Sequence, residues 1–327
     1  MNEEVMRIED VLHLTNADMQ QVNQHLTSQL NSQVVLINQI AHYIINNGGK
    51  RLRPVIMMLL AKALDYKGKQ HINLAAVVEM IHTATLLHDD VVDESDMRRG
   101  EKTSHEIWGN AASVLVGDFL YSKSFRMMVT ADSMEVMAVM SKATNTISEG
   151  EVQQLLNIGN QSLTEKDYYQ IIANKTAKLF EAACELVAII SEVNSNHRQK
   201  LAQYGLLLGT AFQIADDVLD YTADDDALGK NIGDDFNEGK LTLPLIYILN
   251  KGPEQHKQSV SDALNNPSET DFMSLRQLVN NSGAIEYTLQ QAKLKAEQAK
   301  TCLSALPDSK AKQALQFLCD YTWQRNI

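Results

Sequence analysis

The feature that most constrains this chain is an acidic pattern, D-D-aliphatic-aliphatic-D, which occurs twice. Each copy follows an apolar run, residues 80–87 for the first and 206–215 for the second. If each run is helical, the first and last aspartates of each copy lie one turn apart on one face. The carboxylates of the two copies are Asp89, Asp90, Asp93, Asp216, Asp217 and Asp220.

Three unpaired carboxylates within one helical turn repel each other and raise each other's pKa values. A hard divalent cation such as Mg²⁺ relieves that repulsion, because it binds a few carboxylates and fills its other positions with water or phosphate oxygens. One such motif alone would favour a solvated acidic helix end. Two copies, each ending an apolar helix, predict two metal-binding walls of one pocket.

The rest of the chain predicts an all-α fold. Five prolines and fifteen glycines are few for 327 residues, and no alternating Val/Ile/Thr-rich segment bounded by turns is present. With 44% hydrophobic residues and no linker, residues 1–327 are expected to form a single domain. The three cysteines lack CxxC spacing, so the sequence indicates neither a disulfide framework nor zinc.

Charge and hydropathy exclude some partners. The net charge of −12 argues against nucleic acid or an anionic membrane surface as the main partner. No segment has the unbroken apolar length of a transmembrane helix, and the N-terminus shows no signal-peptide pattern. We therefore expect a cytoplasmic protein without stable membrane insertion.

Basic residues are concentrated next to glycines and to the first acidic motif. Lys50 and Arg53 follow two glycines and flank the predicted start of a helix, where backbone N–H groups and cations together form a good anion site. Arg98 and Arg99 follow the first acidic motif. They could bind a phosphate bidentately, or they could pair only with acidic neighbours on the same loop.

Two polar features lie inside predicted helices. Lys175 and Thr176 interrupt an apolar helix predicted for residues 164–193, so Lys175 needs either a ligand phosphate or a route to solvent. His82 lies about two turns before Asp89 and, taken alone, is more typical of a packed helix residue.

Other segments leave their roles open. The methionines of residues 127–140 are either core filler or the lining of a deep apolar pocket. The polar, Gly-rich stretch 229–240 is typical of a mobile loop. Helices predicted around 268–281, 283–304 and 307–325 carry no evident chemistry and are interpreted as scaffold.

Together these features indicate Mg²⁺-diphosphate chemistry beside an apolar cavity. Diphosphate leaves a carbon atom readily only when metal ions and Lys or Arg neutralise its charge. The carbocation that remains needs a dry chamber, since water would capture it. No Ser-His-Asp or Cys-His arrangement is visible in the sequence.

Over nearly its whole length the chain resembles the trans-prenyl (polyprenyl) diphosphate synthases, most closely the bacterial members that make the octaprenyl side chain of ubiquinone. The segments that carry the resemblance are 48–54 (GGKRLRP), 82–100 (HTATLLHDDVVDESDMRRG), 175–176 (KT), 212–220 (FQIADDVLD) and 229–244 (GKNIGDDFNEGKLTLP). Several motifs in the family's order and spacing make the match specific.

The resemblance implies a homodimer whose subunits are helical bundles, each around a central cavity. It implies successive head-to-tail addition of isopentenyl diphosphate to an allylic diphosphate, with farnesyl diphosphate as the expected primer and octaprenyl (C40) diphosphate as the expected product. It also implies Mg²⁺ as cofactor, with three ions once substrate is bound. The released diphosphate would take the final proton.

The resemblance also implies a role for each matching residue, and the six aspartates with Lys175 form the predicted catalytic set. Mg²⁺ would be bound by Asp89, Asp93 and Asp216, supported by Asp90, Asp217 and Asp220. The allylic diphosphate would be held by Arg98, Lys175, Thr176, Gln213, Lys230 and Lys240. Isopentenyl diphosphate would be held by Lys50, Arg53, His82 and Arg99. Gln154 departs from the Asp that many short-chain relatives carry, which puts one outer contact in doubt.

Product length in this family depends on the depth of the cavity below the first acidic motif. One helical turn is about 5.4 Å, so a bulky residue one turn before Asp89 would block the growing tail early. Ala84 and Thr85 occupy that turn and are small, which implies a long product. The candidate floor is formed by Met127, Met128 and Met137.

Three other functions compete with this interpretation. A shorter-chain geranylgeranyl or farnesyl diphosphate synthase is the main alternative. A terpene cyclase typically lacks two copies of the acidic motif and needs no isopentenyl diphosphate site. A non-catalytic subunit of a heteromeric synthase usually loses one acidic motif, and both are intact here.

Overall fold

Helices provide nearly all the regular structure in the computed structural model, which describes residues 6–47, 49–223 and 233–324. The helices, in chain order, are α1 (Ile8–Gln29), α2 (Val35–Asn46), α3 (Leu52–Ala63), α4 (Gln70–Val92), α5 (Ser104–Trp108), α6 (Asn110–Val129), α7 (Met134–Leu155), α8 (Glu165–Ile172), α9 (Lys178–Ile190), α10 (Ser195–Thr222), α11 (Asp234–Asn237), α12 (Leu243–Lys251), α13 (Glu254–Asn265), α14 (Phe272–Asn281), α15 (Ala284–Cys302) and α16 (Lys310–Gln324). The prediction of an all-α fold is confirmed.

A few short segments complete the regular structure. They are β1 (Met97–Arg98), β2 (Glu101–Lys102), a π-helical segment (Ala173–Ala177) and two 3₁₀ turns (Pro267–Glu269 and Leu303–Ala305). Within the described ranges no helix is both long and apolar enough to cross a membrane.

The structure differs from the predicted helices and loops at three places. The long helix expected over residues 164–193 is α8, the π-helical segment and α9 in succession. The loop expected after the first acidic motif contains the antiparallel pair β1–β2. Its turn residues, Arg99 and Gly100, have φ values of 55° and 79°, as a two-residue hairpin turn of type I′ requires. In the stretch 229–240, α11 is helical, and residues 224–232 lie outside the described residues.

The buried apolar side chains form two clusters that meet on α10. The larger cluster takes side chains from α1–α7, α9, α16, the end of α15 and α10 up to Ala211. The smaller cluster takes them from α8, α11–α14, the first part of α15 and the last turns of α10, including Ile214 and Tyr221. Because α4 belongs to the first cluster and the end of α10 to the second, the two acidic motifs lie where the clusters adjoin.

Two glycines let α7 and α10 approach the π-helical segment closely. A Cβ on Gly150 would lie 2.7 Å from the backbone nitrogen of Lys175, and one on Gly209 would lie 2.7 Å from the Cα of Ala177. A side chain at either position would force the helices apart. The π-helical segment, which carries Lys175 and Thr176, is therefore held tightly between its neighbours, and such segments often mark functional sites.

Candidate active site

The first acidic motif ends α4, and one of its carboxylates is buried against an arginine. The Nε of Arg98, on β1, donates a hydrogen bond to Oδ1 of Asp90 (2.6 Å), and its Nη2 lies 2.5 Å from the same oxygen. The side chain of Asp90 has no exposed surface. The other oxygen of Asp90 is buried without a hydrogen-bond partner in the described ranges. Arg98, predicted to hold the allylic diphosphate, thus pairs with Asp90 and anchors the hairpin to α4.

Two lysines lie beside the other carboxylates of this motif. Lys175 Nζ lies 2.6 Å from Glu151 Oε2, 2.7 Å from Gln154 Oε1 and 4.0 Å from Asp89 Oδ2. Burial raises the pKa of Asp89, the charge of Lys175 opposes that rise, and the charge of Asp93 adds to it. Lys175 therefore brings positive charge to the end of α4 and binds α7 as well.

The second lysine reaches Asp93 from beyond α11. Lys240 Nζ lies 2.7 Å from Asp93 Oδ2 and 2.5 Å from Glu238 Oε2. Burial alone would lower the pKa of Lys240, but Asp235, Asp93 and Glu238 raise it overall, so the amine is charged. Asp93 is consequently held by a cation from a distant part of the chain.

In the second acidic motif, at the end of α10, Asp217 and Asp220 accept hydrogen bonds from neutral groups. Asp217 is buried and accepts hydrogen bonds from Tyr168 OH (2.6 Å) and Gln213 Nε2 (2.8 Å). Asp220 Oδ1 accepts one from the Gly233 backbone N–H (3.0 Å), and its Oδ2 is buried without a partner in the described ranges.

Two carboxyls of this motif have raised pKa values. Burial, followed by the charge of Asp235, raises the pKa of Asp217 well above its ordinary value. The same two causes raise the pKa of Asp220 to about 8. At neutral pH a carboxyl with such a pKa holds its proton most of the time unless a cation stabilises its charge.

The π-helical segment connects the two motifs. Lys175 approaches Asp89 of the first motif, and the next residue, Thr176, donates to Gln213 Oε1 (2.9 Å), which is in turn bonded through its amide to Asp217. Adjacent residues of one segment therefore reach both acidic motifs, Lys175 directly and Thr176 through Gln213. This arrangement supports the interpretation that the two motifs face one site.

The donor set fits a hard divalent cation, although the carboxylates do not converge without one. Within the described ranges no three His, Cys, Asp or Glu side chains form a ready metal-binding group. The first motif is paired with Arg98 and two lysines, and carboxylates that repel one another stay apart. The unsatisfied buried oxygen of Asp220 and the raised pKa values of the second motif are what a bound Mg²⁺ would relieve.

The predicted isopentenyl diphosphate residues lie on α3, α4 and the hairpin. Lys50 Nζ donates to Tyr321 OH (2.7 Å) on α16. The guanidinium of Arg53 lies 4.2 Å from the centre of the Phe180 ring, and its Nε is buried without a hydrogen-bond partner among the described residues. Burial lowers the pKa of Arg53 to about 10, so the group remains charged at neutral pH.

His82 and Arg99 complete the basic cluster. Arg99 Nη1 donates to the Asn47 carbonyl (3.1 Å), and a Cβ on Gly49 would lie 2.8 Å from Arg99 Nη2. Gly49 therefore gives the guanidinium room to cross the loop. Burial, with the charges of Arg53, Arg99 and Arg98, lowers the pKa of His82 well below its ordinary value, so the imidazole is neutral at pH 7.

Comparison with known proteins identifies the family. A profile of the family described as Polyprenyl synthetase matches residues 34–281, about three quarters of the chain. The chain belongs to the polyprenyl synthetase family. It is 47% identical to the octaprenyl diphosphate synthase of Escherichia coli (strain K12) over 322 residues, 98% of this chain and 100% of that protein. It is 43% identical to the Haemophilus influenzae protein of the same name, covering 99% of each.

The fold is similar to that of a solved polyprenyl synthase. The crystal structure of polyprenyl synthase from Caulobacter crescentus CB15, complexed with calcium and isoprenyl diphosphate, superposes with a TM-score of 0.95. The two sequences are 41% identical, and the match covers 99% of this chain and 100% of that one. The resemblance stated from the motifs and the helical polyprenyl synthetase fold are thereby confirmed.

Three residues that contact the site of this polyprenyl synthetase were not assigned from the sequence. Glu151 holds Lys175, Tyr168 donates to Asp217, and Glu79 lies buried beside the basic cluster. Glu151 and Gln154 lie three residues apart on α7, a spacing that places both on one helical face toward a lysine. Gln154 proves to contact Lys175 directly, although its departure from the short-chain pattern was expected to affect only an outer contact.

The residues predicted to set chain length in this polyprenyl synthetase lie on α4, α6 and the first turn of α7. Ala84, Met127 and Met128 are buried, whereas Thr85 and Met137 are partly exposed. The Thr85 hydroxyl donates to the carbonyl of His82 (2.8 Å). Lys230, predicted to bind the allylic diphosphate, lies outside the described residues.

Proposed function

We propose that this chain is a cytoplasmic, Mg²⁺-dependent trans-polyprenyl diphosphate synthase. It would add isopentenyl diphosphate units to an allylic diphosphate, starting from farnesyl diphosphate and ending at octaprenyl diphosphate for a quinone side chain. The observation that carries the proposal is the pair of acidic motifs on either side of the Lys175–Thr176 segment. Full-length identity of 47% to an octaprenyl diphosphate synthase supports the long product.

The allylic diphosphate would bind between the acidic motifs. Asp89, Asp93 and Asp216 would hold Mg²⁺, which when bound neutralises charge on the departing diphosphate. Lys175 and Lys240 lie beside Asp89 and Asp93 and would turn their ammonium groups to the diphosphate oxygens. Arg98 would offset the charge of Asp90, and Thr176 and Gln213 would hold the second motif in position.

Condensation would then proceed without a protein nucleophile. The allylic C–O bond breaks and its electron pair leaves with the diphosphate. The double bond of isopentenyl diphosphate forms the new C–C bond to the allylic carbon, and the released diphosphate takes the proton that restores a double bond. The chain's own contribution is to bind, to orient and to exclude water.

Isopentenyl diphosphate would bind at the basic cluster. Lys50, Arg53 and Arg99 carry the positive charge there, and the neutral His82 can donate one hydrogen bond without adding charge. The Nε of Arg53, which has no hydrogen-bond partner among the described residues, supports this assignment, because a buried guanidinium nitrogen without a partner is costly unless a ligand satisfies it.

The length of α4 below Asp89 would allow a long product. Helices α4 and α6 run antiparallel, because His88 contacts the Val114 carbonyl near the start of α6, and Asn73 contacts the Met127 carbonyl near its end. Sixteen residues separate Asn73 from Asp89, about 24 Å of helix. A floor at Met127, Met128 and Met137 would thus lie more than four turns below the first acidic motif.

Product sizing tests the proposal. Purified protein would be incubated with Mg²⁺, labelled isopentenyl diphosphate and farnesyl diphosphate, and the dephosphorylated products separated by chain length. We expect C40 from the native chain and shorter products from Ala84→Tyr, with Thr85→Phe as a second, less buried variant. Longer products are expected when the true floor methionine becomes Ala, whereas Met58→Ala, the same deletion in the α3 core, should leave chain length unchanged.

The outcomes separate the competing functions. A C20 product from the native chain would mean that the floor lies higher than Met127. Unchanged product length in both Ala84→Tyr and Thr85→Phe would refute the proposed path of the growing chain. No condensation by correctly folded protein would favour a non-catalytic subunit.

A homodimer is the proposed assembly. Ile107, Val114, Leu115, Val129 and Met134 are exposed along α5, α6 and the start of α7, with Leu115 66% and Met134 82% exposed. A row of exposed large apolar side chains of this kind is typical of a protein interface. Light scattering should show a dimer that Leu115→Glu weakens, whereas Leu294→Glu on α15 should not change the mass.

A further inference from the structure

A buried carboxylate lies within the basic cluster and has no assigned role. Glu79, on α4, lies three residues before His82 and is 8% exposed. Its Oε1 is 4.0 Å from Arg51 Nε. Burial raises the pKa of Glu79, and the positive charges of Arg53, Arg51 and Arg99 oppose that rise.

Arg51 is held in an unusual backbone conformation by contacts to three helices. Its φ of 46° is in the left-handed region, which a non-glycine residue rarely adopts unless its surroundings require it. Its Nη2 donates to the Ile45 carbonyl on α2 (3.0 Å), and its own carbonyl accepts from the Val55 N–H on α3 (3.1 Å). With Glu79 on α4, Arg51 ties together the elements that present the basic cluster.

These residues border a cavity with a polar and an apolar side. The cavity is small, with an accessible volume of about 10 Å³. Its lining includes, on the polar side, Arg51, Glu79, His82 and Arg99, and, on the apolar side, Ile45 and Leu86. A diphosphate with a short hydrocarbon group has the same two-sided character.

The balance of charge at this cavity suits a diphosphate. Three buried or half-buried guanidinium groups with no carboxylate would repel one another and move apart. Three guanidinium groups with one carboxylate keep an excess of two positive charges, which an anion can use. A second carboxylate would remove most of that excess.

We propose that Glu79 and Arg51 are positioning residues of the isopentenyl diphosphate subsite, an inference that rests on the proposed function. Glu79 holds the guanidinium groups of Arg53 and Arg99 at a fixed spacing, and Arg51 fixes the turn that carries Lys50. Neither residue need touch the substrate. They orient the groups that do.

Steady-state kinetics of Glu79→Gln and Arg51→Gln test the inference. Each variant should raise the KM for isopentenyl diphosphate at least about tenfold, the effect of losing one charge-assisted contact. The KM for farnesyl diphosphate should stay within about twofold of the native value. Because the two residues act as a pair, the double variant should be no worse than the poorer single variant.

Control variants and a binding measurement keep the result independent of catalysis. Glu185→Gln removes a half-buried carboxylate paired with Arg198 (2.9 Å) outside the site, and it should leave both KM values unchanged. Calorimetric titration with isopentenyl diphosphate alone, without Mg²⁺ or allylic substrate, should show the same loss of affinity in Glu79→Gln. If the native chain binds isopentenyl diphosphate but makes no prenyl product, the proposed function fails while the positioning role can still be seen.

Three results would overturn the inference. One is an unchanged affinity for isopentenyl diphosphate in both folded variants. Another is tighter binding in Glu79→Gln, which would mean that the carboxylate only offsets charge. The third is an equal rise in the KM of both substrates, since a general structural role would produce it.

Discussion

The two acidic motifs share one sequence pattern but have different surroundings. The first receives cations: Arg98 on Asp90, Lys175 near Asp89 and Lys240 on Asp93. The second receives neutral donors, with Tyr168 and Gln213 on Asp217 and a backbone N–H on Asp220. Burial and the charge of Asp235 raise the pKa of Asp220 to about 8 and that of Asp217 well above its ordinary value.

This difference shows that the sequence of an acidic motif does not determine which charges surround its carboxylates. The first motif is neutralised by the same cations that are proposed to bind diphosphate, so the substrate and the carboxylates compete for them. In the second motif, burial and the like charge of Asp235 on α11 raise the pKa values of Asp217 and Asp220, and a bound metal ion would supply a counter-charge. We therefore expect the second motif to gain more from a bound metal ion than the first.

The largest expected effect is on activity and tests whether both motifs act as metal walls. Asp89→Ala and Asp216→Ala should each lower kcat by about 10²–10³-fold or more, because each removes a charged group from the stabilisation of the leaving diphosphate. The measurement is condensation of labelled isopentenyl diphosphate with farnesyl diphosphate at saturating Mg²⁺. Glu254→Ala, whose side chain is 91% exposed on α13, is the matched control. If kcat fell in only one of the two variants, only one of the motifs would act as a metal-binding wall.

Without metal, neutralising a carboxylate should lower the free energy of unfolding in the first motif and raise it in the second. Asp90→Asn breaks a buried ion pair and leaves Arg98 unpaired, so it should lower the free energy of unfolding by about 3–5 kcal/mol. Asp220→Asn removes a desolvated charge beside Asp235 and should raise it by about 2 kcal/mol near pH 8. Urea unfolding in the presence of a chelator measures both. The same sign in both variants would contradict the comparison.

The pH dependence of metal-free stability should come chiefly from the second motif. The pKa of Asp220 rises from an ordinary 3.8 to about 8 on folding. Between these values the folded chain binds more protons than the unfolded chain, so stability should fall as pH rises from about 4 to about 8. Asp220→Asn should flatten that decline, and adding Mg²⁺ should oppose it because the ion binds the folded state. Stability that rose over this range in the native chain would refute the assignment.

The sequence points to the carboxylates of the candidate site more readily than to the residues that contact them. The six aspartates are evident because carboxylates at helical spacing after an apolar run leave few alternatives. Glu151 and Glu79 are not evident, since each is a single acid in a helix and only tertiary packing brings it to a lysine or arginine. Long-range pairs of this kind have no local signal.

The π-helical segment shows the same limit for secondary structure. Residues 164–193 have the composition and spacing of one continuous helix, and the sequence predicts one. The interruption at Ala173–Ala177 accompanies close packing of α7 at Gly150 and α10 at Gly209. These contacts lie outside the segment, so its own residues do not reveal the change of helical pitch.

The smallest effect is expected from a variant in which the first motif loses one of its cations and so resembles the second. Lys240→Met removes the ammonium group that lies 2.7 Å from Asp93 and 2.5 Å from Glu238, leaving two half-buried carboxylates without their counter-charge. Added Mg²⁺ should then raise the thermal unfolding temperature of the variant by about 2 °C more than it raises that of the native chain, about 1 kcal/mol of extra stabilisation. Lys257→Met, which removes a lysine near the exposed Glu254, should respond as the native chain does. An equal Mg²⁺ response in Lys240→Met would mean that Lys240 does not substitute for a metal ion at Asp93, and that the two motifs differ less than their contacts indicate.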